Sequence, residues 1–230
     1  PLYPPTFASA YHNWTFDKVA IEELTVAKLR NLLLPQDSPA LPLQQLNVSI
    51  EPDPVFWRRD RKNNKHVLPV FGEFLFRLQH NALRLGYRLQ HVPGANTSCS
   101  FGCSDLETPH HLFWQCEVAT ALWQPWLARF NKFFTEELTW AELLFFSLKP
   151  TPDAKEKYGQ TLFLLLHIVR ALVFRNIWTH RNEVRFHSVQ KNLQDIEVRI
   201  DAYYKLHIRA LKNKCAMQLI PHANALGQKL

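Results

Sequence analysis

The chain has 230 residues, enough to bury a sizeable core in one or two domains. Hydrophobic residues make up 47% and aromatics 13%, which argues against a disordered chain, and six glycines in the whole length favour helices over turn-rich sheet. A net charge of +7 suits a polyanionic partner, or else is ordinary basic solubility; four cysteines, three of them clustered, argue against a disulfide framework and for a reducing compartment.

No basic segment followed by an apolar run opens the chain, so no signal peptide is expected, and the expected location is intracellular, nuclear or cytoplasmic. The first residue is Pro1 rather than Met, as in an engineered expression product or an excised fragment. Residues 1–16 are rich in Pro and aromatics without a period and read as an extended arm. Asp17 to Leu34 reads as a helix, with Val19, Leu24, Val26, Leu29 and Leu32 on a rough apolar stripe that Pro35 stops. Residues 35–56 carry five prolines and read as a linker or a surface loop. Trp57 is followed by Arg58, Arg59, Arg61, Lys62 and Lys65, a basic run read as flexible. Such a run can neutralise phosphates and stack a base, or be a solvated charged loop.

Phe71 to Leu85 has helical spacing, with Phe71, Phe74, Leu75, Leu78, Ala82 and Leu85 on one face and Gly86 as the expected C-cap. Arg77, Arg84 and Arg88 fall on another face, where they can bridge phosphates or simply meet solvent. The turn-rich stretch from Val92 to Ser98 then leads into the cysteines. Cys99, Cys103, His111 and Cys116 form C-x3-C-x7-H-x4-C. Three thiolates and one imidazole make a closed tetrahedral Zn²⁺ set that leaves no open catalytic position. Gly102 lies where the chain must turn back, and a positive φ suits it. Thr108 and Pro109 read as an N-cap and first helical residue, with His111 in the first turn. His110 rivals His111 as the nitrogen ligand. Positions five apart on an α-helix point away from each other, so the helix must end or bend near Cys116 for both to bind one ion.

Beyond Cys116, Val118, Leu122, Trp123, Trp126 and Phe130 give a helical stripe, with Pro125 kinking it or starting a new helix. Thr139 to Glu142 is a capping box for a helix through Phe146. Asp153 to His187 reads as one long helix whose apolar middle is interrupted by His167, Arg170, Arg175 and Asn176, which makes it a central buried helix rather than a membrane span. Ser188 is the expected cap of a last helix to about Lys214, and Val189, Leu193, Ile196, Ile200, Tyr203 or Tyr204 and Leu211 face inward. Cys215 reads as a small core residue and the tail from Pro221 as frayed. The fold class is therefore all-α: an irregular multi-helix domain with a CCHC zinc knuckle and long C-terminal helices. The division expected is 1–70, an arm, short helix and basic linker, and 71–230, the helical knuckle domain.

The stretch Phe74-Leu75-Phe76-Arg77-Leu78-Gln79-His80-Asn81-Ala82-Leu83, then Gly86-Tyr87-Arg88-Leu89, then the cysteine cluster with Glu107-Thr108, His110-His111-Leu112-Phe113 and Cys116, resembles the zinc-binding region of non-LTR (LINE-type) retrotransposon reverse transcriptases. Thr25 to Leu33 resembles that family's short upstream helix, and Ile177-Trp178 with Arg181-Asn182 and Phe186 its downstream helix. The likeness is specific over 71–116 and suggestive over about 23–186. It selects His111 over His110, and it implies a region C-terminal to a polymerase that helps to hold template RNA or target DNA.

No adjacent pair of aspartates, Gly-rich phosphate loop or Gly-x-Ser-x-Gly elbow occurs, so neither polymerase nor hydrolase chemistry is expected. Pro152-Asp153 with Glu156 and Lys157 is similar to an endonuclease motif of some relatives, but its surroundings read as helical. The expected function is non-catalytic binding of Zn²⁺ and of RNA or DNA, through Trp57, Arg58, Arg59, Arg61, Lys62, Arg77, Arg84 and Arg88. The polymerase part of the same polyprotein is a further expected partner, and no membrane is. The alternative is a domesticated fragment that docks a protein through Trp123, Trp126 and Trp140.

Overall fold

The computed structural model describes residues 43–49 and 54–214, with Thr25 and two short strands before them. The chain divides into two compact units, Pro1–Leu41 and Pro42–Leu230. In the first, β1 (Thr15–Phe16) and β2 (Val19–Ala20) pair antiparallel, with Phe16 opposite Val19. The helix expected from Asp17 therefore does not contain Val19 and Ala20; aromatic and β-branched residues on either side of a two-residue connection favour a hairpin. The rest of that expected helix, most of the N-terminal arm, Cys215 and the tail from Pro221 lie outside the described residues.

The described part of the second unit is helical: α1 (Pro54–Asn64), α2 (Pro69–Gln79), α3 (Glu117–Phe130), α4 (Trp140–Phe145), α5 (Pro152–His187) and α6 (Leu193–Lys214). Helix α5 is its axis, and α1, α2, α3 and α6 all pack against it. Its middle is buried nearly all round, from Leu164 to Phe174, as a helix apolar on every face must be. Thr151 caps it by accepting from Ala154 N at 3.3 Å, with Pro152 behind. Gly159 (φ +47) breaks the first turns. Ser188 sits in the left-handed region and closes α5 rather than opening α6, which starts at Leu193. Val189, outside both helices, is exposed, while Ile196, Ile200 and Leu211 are buried as expected.

The basic run after Trp57 is not a flexible loop. It forms α1, whose buried side is Phe56, Asp60 and Asn63, at helical spacing. The inward group at its centre is a carboxylate, which is why the segment does not read as amphipathic. Asp60 pairs with Arg170, fully buried on α5. The Arg170 guanidinium also donates to the carbonyls of Leu143 and Leu144 at 3.0 and 3.1 Å, satisfying the end of α4. The Pro-rich stretch before α1 is likewise more than a surface linker. Leu46 and Val48 are buried, and Trp140 Nε1 donates to Leu46 O at 2.7 Å.

Helix α2 stops at Gln79, short of the expected Leu85, because Asn81 turns left-handed (φ +50) and its side chain accepts from the Tyr87 hydroxyl at 2.8 Å. Leu83 and Leu85 are buried from a non-helical segment, and Ala82 is exposed. Gly86 is not a C-cap. It opens a 3₁₀ turn, and a Cβ there would lie 2.5 Å from Thr97 O. The capping box at Thr139 and Glu142 is present, and α3 runs unbroken through Pro125.

Candidate metal centre

The cysteine loop is a tight reversal. Ser98 bridges Leu106, Cys99 N donates to Asp105 O at 2.9 Å, and Gly102 takes a φ of +90, as the turn demands. This carries Cys103 back toward Cys99. On the other side, Thr108 Oγ1 accepts from His111 N at 3.0 Å, and the helix begun at Pro109 widens into a π turn over His111–Gln115. Cys116 N closes that turn on His111 O at 2.7 Å, and Cys116 itself is extended (ψ 139). The required bend is therefore present. An i→i+5 closure returns the chain to the side from which it left, which brings positions five apart together.

Ligand atoms of Cys99, Cys103, His111 and Cys116 all lie within 4.8 Å of one another. Cys116 Sγ is 3.6 Å from Cys103 Sγ and 3.9 Å from Cys99 Sγ. These separations are far outside a disulfide. They match the edge of a tetrahedron about a zinc–sulfur bond, about 3.8 Å for a bond of about 2.3 Å. The ring Nε2 of His111 is buried and has no hydrogen-bond partner among the described residues, as a ligand nitrogen would be, while Asp105 lies 3.7 Å from Nδ1. The four residues thus fit Zn²⁺ in chemistry and spacing. His110 is elsewhere, with Nδ1 2.9 Å from Asn47 Nδ2 and its ring against Trp140.

The thiols share their protons unequally. The hydrogen bond from Cys99, aided by backbone N–H groups of Val118 and Ala119 at the start of α3, lowers Cys116 to about 5. The same hydrogen bond pushes Cys99 up; burial, followed by Cys116, raises Cys103. Cys116 is thus the sulfur that gives up its proton most readily, and a cation would release the protons that the thiols still hold. Were the set to hold Zn²⁺, four protein ligands with no open position would supply folding energy rather than Lewis-acid catalysis.

A second layer holds the loop. Glu107, fully buried, accepts from Arg181 Nε at 2.9 Å, Arg185 Nη1 at 3.0 Å, Ser100 Oγ at 2.6 Å and Gly86 N at 2.9 Å. Burial alone would raise this carboxyl, but Arg181 and Ser100 hold it below its ordinary value of 4.5. Phe101 stacks on His180 at 6.0 Å. The cysteine loop is therefore fastened to α5. Glu107 and Arg181 had no role assigned from sequence; their signal was that each falls inside a stretch carrying the family resemblance.

The residues expected to touch nucleic acid are spread over two regions. Arg58, Arg59 and Lys62 share a cleft beside α5. Arg61 is exposed on α1, whereas Trp57 is half-buried against Phe56 and Phe145. Arg77, exposed, pairs with Glu73, and Arg88 donates to Asn81 O. Arg84 is exposed but off the helix. Of the aromatic docking face, Trp123 and Trp140 are core residues, 1% and 3% exposed, which leaves Trp126 alone half-exposed. No family model, curated protein or solved structure matches this chain.

Proposed function

We propose that the chain is a non-catalytic, zinc-stabilised segment that binds RNA or DNA, from the C-terminal part of a LINE-type reverse transcriptase. The observation that carries this reading is the closed Cys₃His set at tetrahedral spacing, in a loop whose sequence resembles that family's. The excess of Lys and Arg supports a polyanionic partner, as do Arg58 and Arg61, which are exposed and form no ion pair among the described residues. In this reading zinc fixes the cysteine loop, and the loop fixes the helices that present these cations. The polymerase part of the same polyprotein is the partner in cis, and the place of action is nucleus or cytoplasm.

The test is zinc content by mass spectrometry, followed by fluorescence anisotropy with labelled 12-mers of RNA and DNA across salt. About one zinc per chain is expected. Four phosphate contacts to a single strand would give a log–log salt slope of about −3. Salt-insensitive binding, or none, would overturn the reading.

A further inference from the structure

A cleft of about 720 Å³ opens beside the first turns of α5, walled by α1 and by the strand-like segment ahead of α5. Five cations line it, Arg58, Arg59 and Lys62 from α1 with Lys149 and Lys155 opposite, and no carboxylate among the described residues does. Among the described residues, none of the five is ion-paired. Lys62 Nζ donates to the neutral Gln160 at 2.9 Å, and the Arg59 guanidinium lies 4.6 Å from the centre of the Phe163 ring. Val55, Leu148 and Pro150 add apolar surface. Asn63 also lines the cleft and is 8% exposed.

These features ask for a ligand with anionic groups spaced along it and a flat ring. We infer that the cleft is a subsite for single-stranded nucleic acid. Lys149, Lys155 and Arg58 take the backbone phosphates. A base lies on the Arg59 guanidinium plane, which Phe163 holds from behind. The volume is that of a pocket for a drug-sized ligand, so it admits a nucleotide splayed from a strand and not a duplex. The inference rests on the nucleic-acid reading above and adds the place and the strandedness. The sequence already held Arg58, Arg59 and Lys62, but Lys149 and Lys155 reach them only through the fold.

The experiment compares the zinc-loaded wild type with Lys149→Gln/Lys155→Gln and with a charge-matched control, Lys132→Gln/Lys191→Gln. All four lysines are exposed and none is ion-paired among the described residues, so zinc content and melting temperature should not move. Binding is read by anisotropy with labelled dT₁₂ and rU₁₂. The cleft variant should lose about tenfold or more in affinity at 0.1 M salt, and its salt slope should shrink by about 1.4. The control should stay within about twofold. Equal losses in both variants, or none in the cleft variant while the wild type binds, overturn the cleft and leave the proposed function standing. A wild type that binds neither oligomer overturns both. A 12-base-pair duplex bound as tightly as the single strand, or full displacement of dT₁₂ by AMP at equal nucleotide concentration, overturns the assignment to a strand.

Discussion

Arg181 on α5 donates its Nε–H to Glu107 at 2.9 Å across 74 residues of sequence, with both side chains buried. Glu107 lies between Cys103 and His111, so this pair locks the cysteine loop to the central helix. Its carboxylate receives donors from three sources: the loop itself (Ser100), the turn at Gly86, and α5. That coverage lets an ionised group stay in the core.

Glu107→Gln should therefore destabilise the domain by about 3–5 kcal/mol, because Arg181 would be left as a buried charge without its counter-ion. The pH dependence has a definite sign. The folded-state pKa is lowered, so this stabilisation is complete above the ordinary value of 4.5 and is lost as pH falls through the folded value. Urea melts of wild type and variant should converge at acid pH and diverge toward neutrality; a constant gap would refute the charged pair.

Much of this centre was legible in the sequence. Ligand spacing, a glycine at a forced turn and a Thr-Pro helix start are local signals for the three cysteines and a nearby histidine, while the choice of His111 over His110 came from the family likeness. The capping box at Thr139 was legible for the same reason. What pairs with Glu107 was not, because a partner 74 residues away is chosen by packing. Helix α1 does not show in the sequence because its inward group is Asp60, and hydrophobic periodicity is blind to a buried carboxylate whose partner is Arg170. The stop at Gln79 was invisible because an apolar pattern continued beyond it, while Asn81 left the helical region.

Cys103→Ser should abolish stoichiometric zinc and bring the loss of folding energy expected of a structural site. His111→Ala should do the same, whereas His110→Ala should keep about one zinc per chain, since its ring faces Asn47 and Trp140. Mass spectrometry of the folded proteins checks this directly. Zinc retained in His111→Ala but lost in His110→Ala would reverse the ligand assignment.

The Asp60–Arg170 pair predicts an asymmetry. Asp60→Ala should cost about 3–5 kcal/mol because it strands the Arg170 guanidinium in the core. The double change Asp60→Leu/Arg170→Met should cost less than Asp60→Ala alone, even though it also removes the bonds to Leu143 and Leu144. Denaturant melts of single and double variants measure the coupling. Additive losses would mean that the pair is not a unit.

His167 supplies a second pH signature. Burial, followed by the charge of His66, pushes its imidazole down from 6.5 to about 3. Asp60 is 3.5 Å from the ring, but its charge is paired with Arg170, while Nε2 faces Asn64 Oδ1 at 2.9 Å. Between pH 3 and 6.5 the unfolded chain therefore binds a proton that the folded chain does not. Stability should fall as pH drops through that window, by up to about 1.4 kcal/mol per unit from this group. His167→Gln should remove this component and flatten the profile. A profile of unchanged slope in the variant would show that the imidazole is protonated inside the fold.

Gly86 tests the close approach that fixes the turn to the cysteine loop. A Cβ there would meet Thr97 O at 2.5 Å and Glu107 Cβ at 3.1 Å, and the first of these is backbone that cannot rotate away. Gly86→Ala should therefore destabilise by about 1–3 kcal/mol through overpacking, and should weaken zinc retention against a chelator, since Glu107 lies in the same loop as Cys103 and His111. Gly94→Ala is the control. Its φ of +76 carries a strain of about 1 kcal/mol, but nothing lies within 4 Å of the new methyl group, so zinc retention should match wild type. Chelator competition followed by a zinc-sensitive dye separates the two. Equal retention in both variants would show that the turn at Gly86 moves independently of the metal loop.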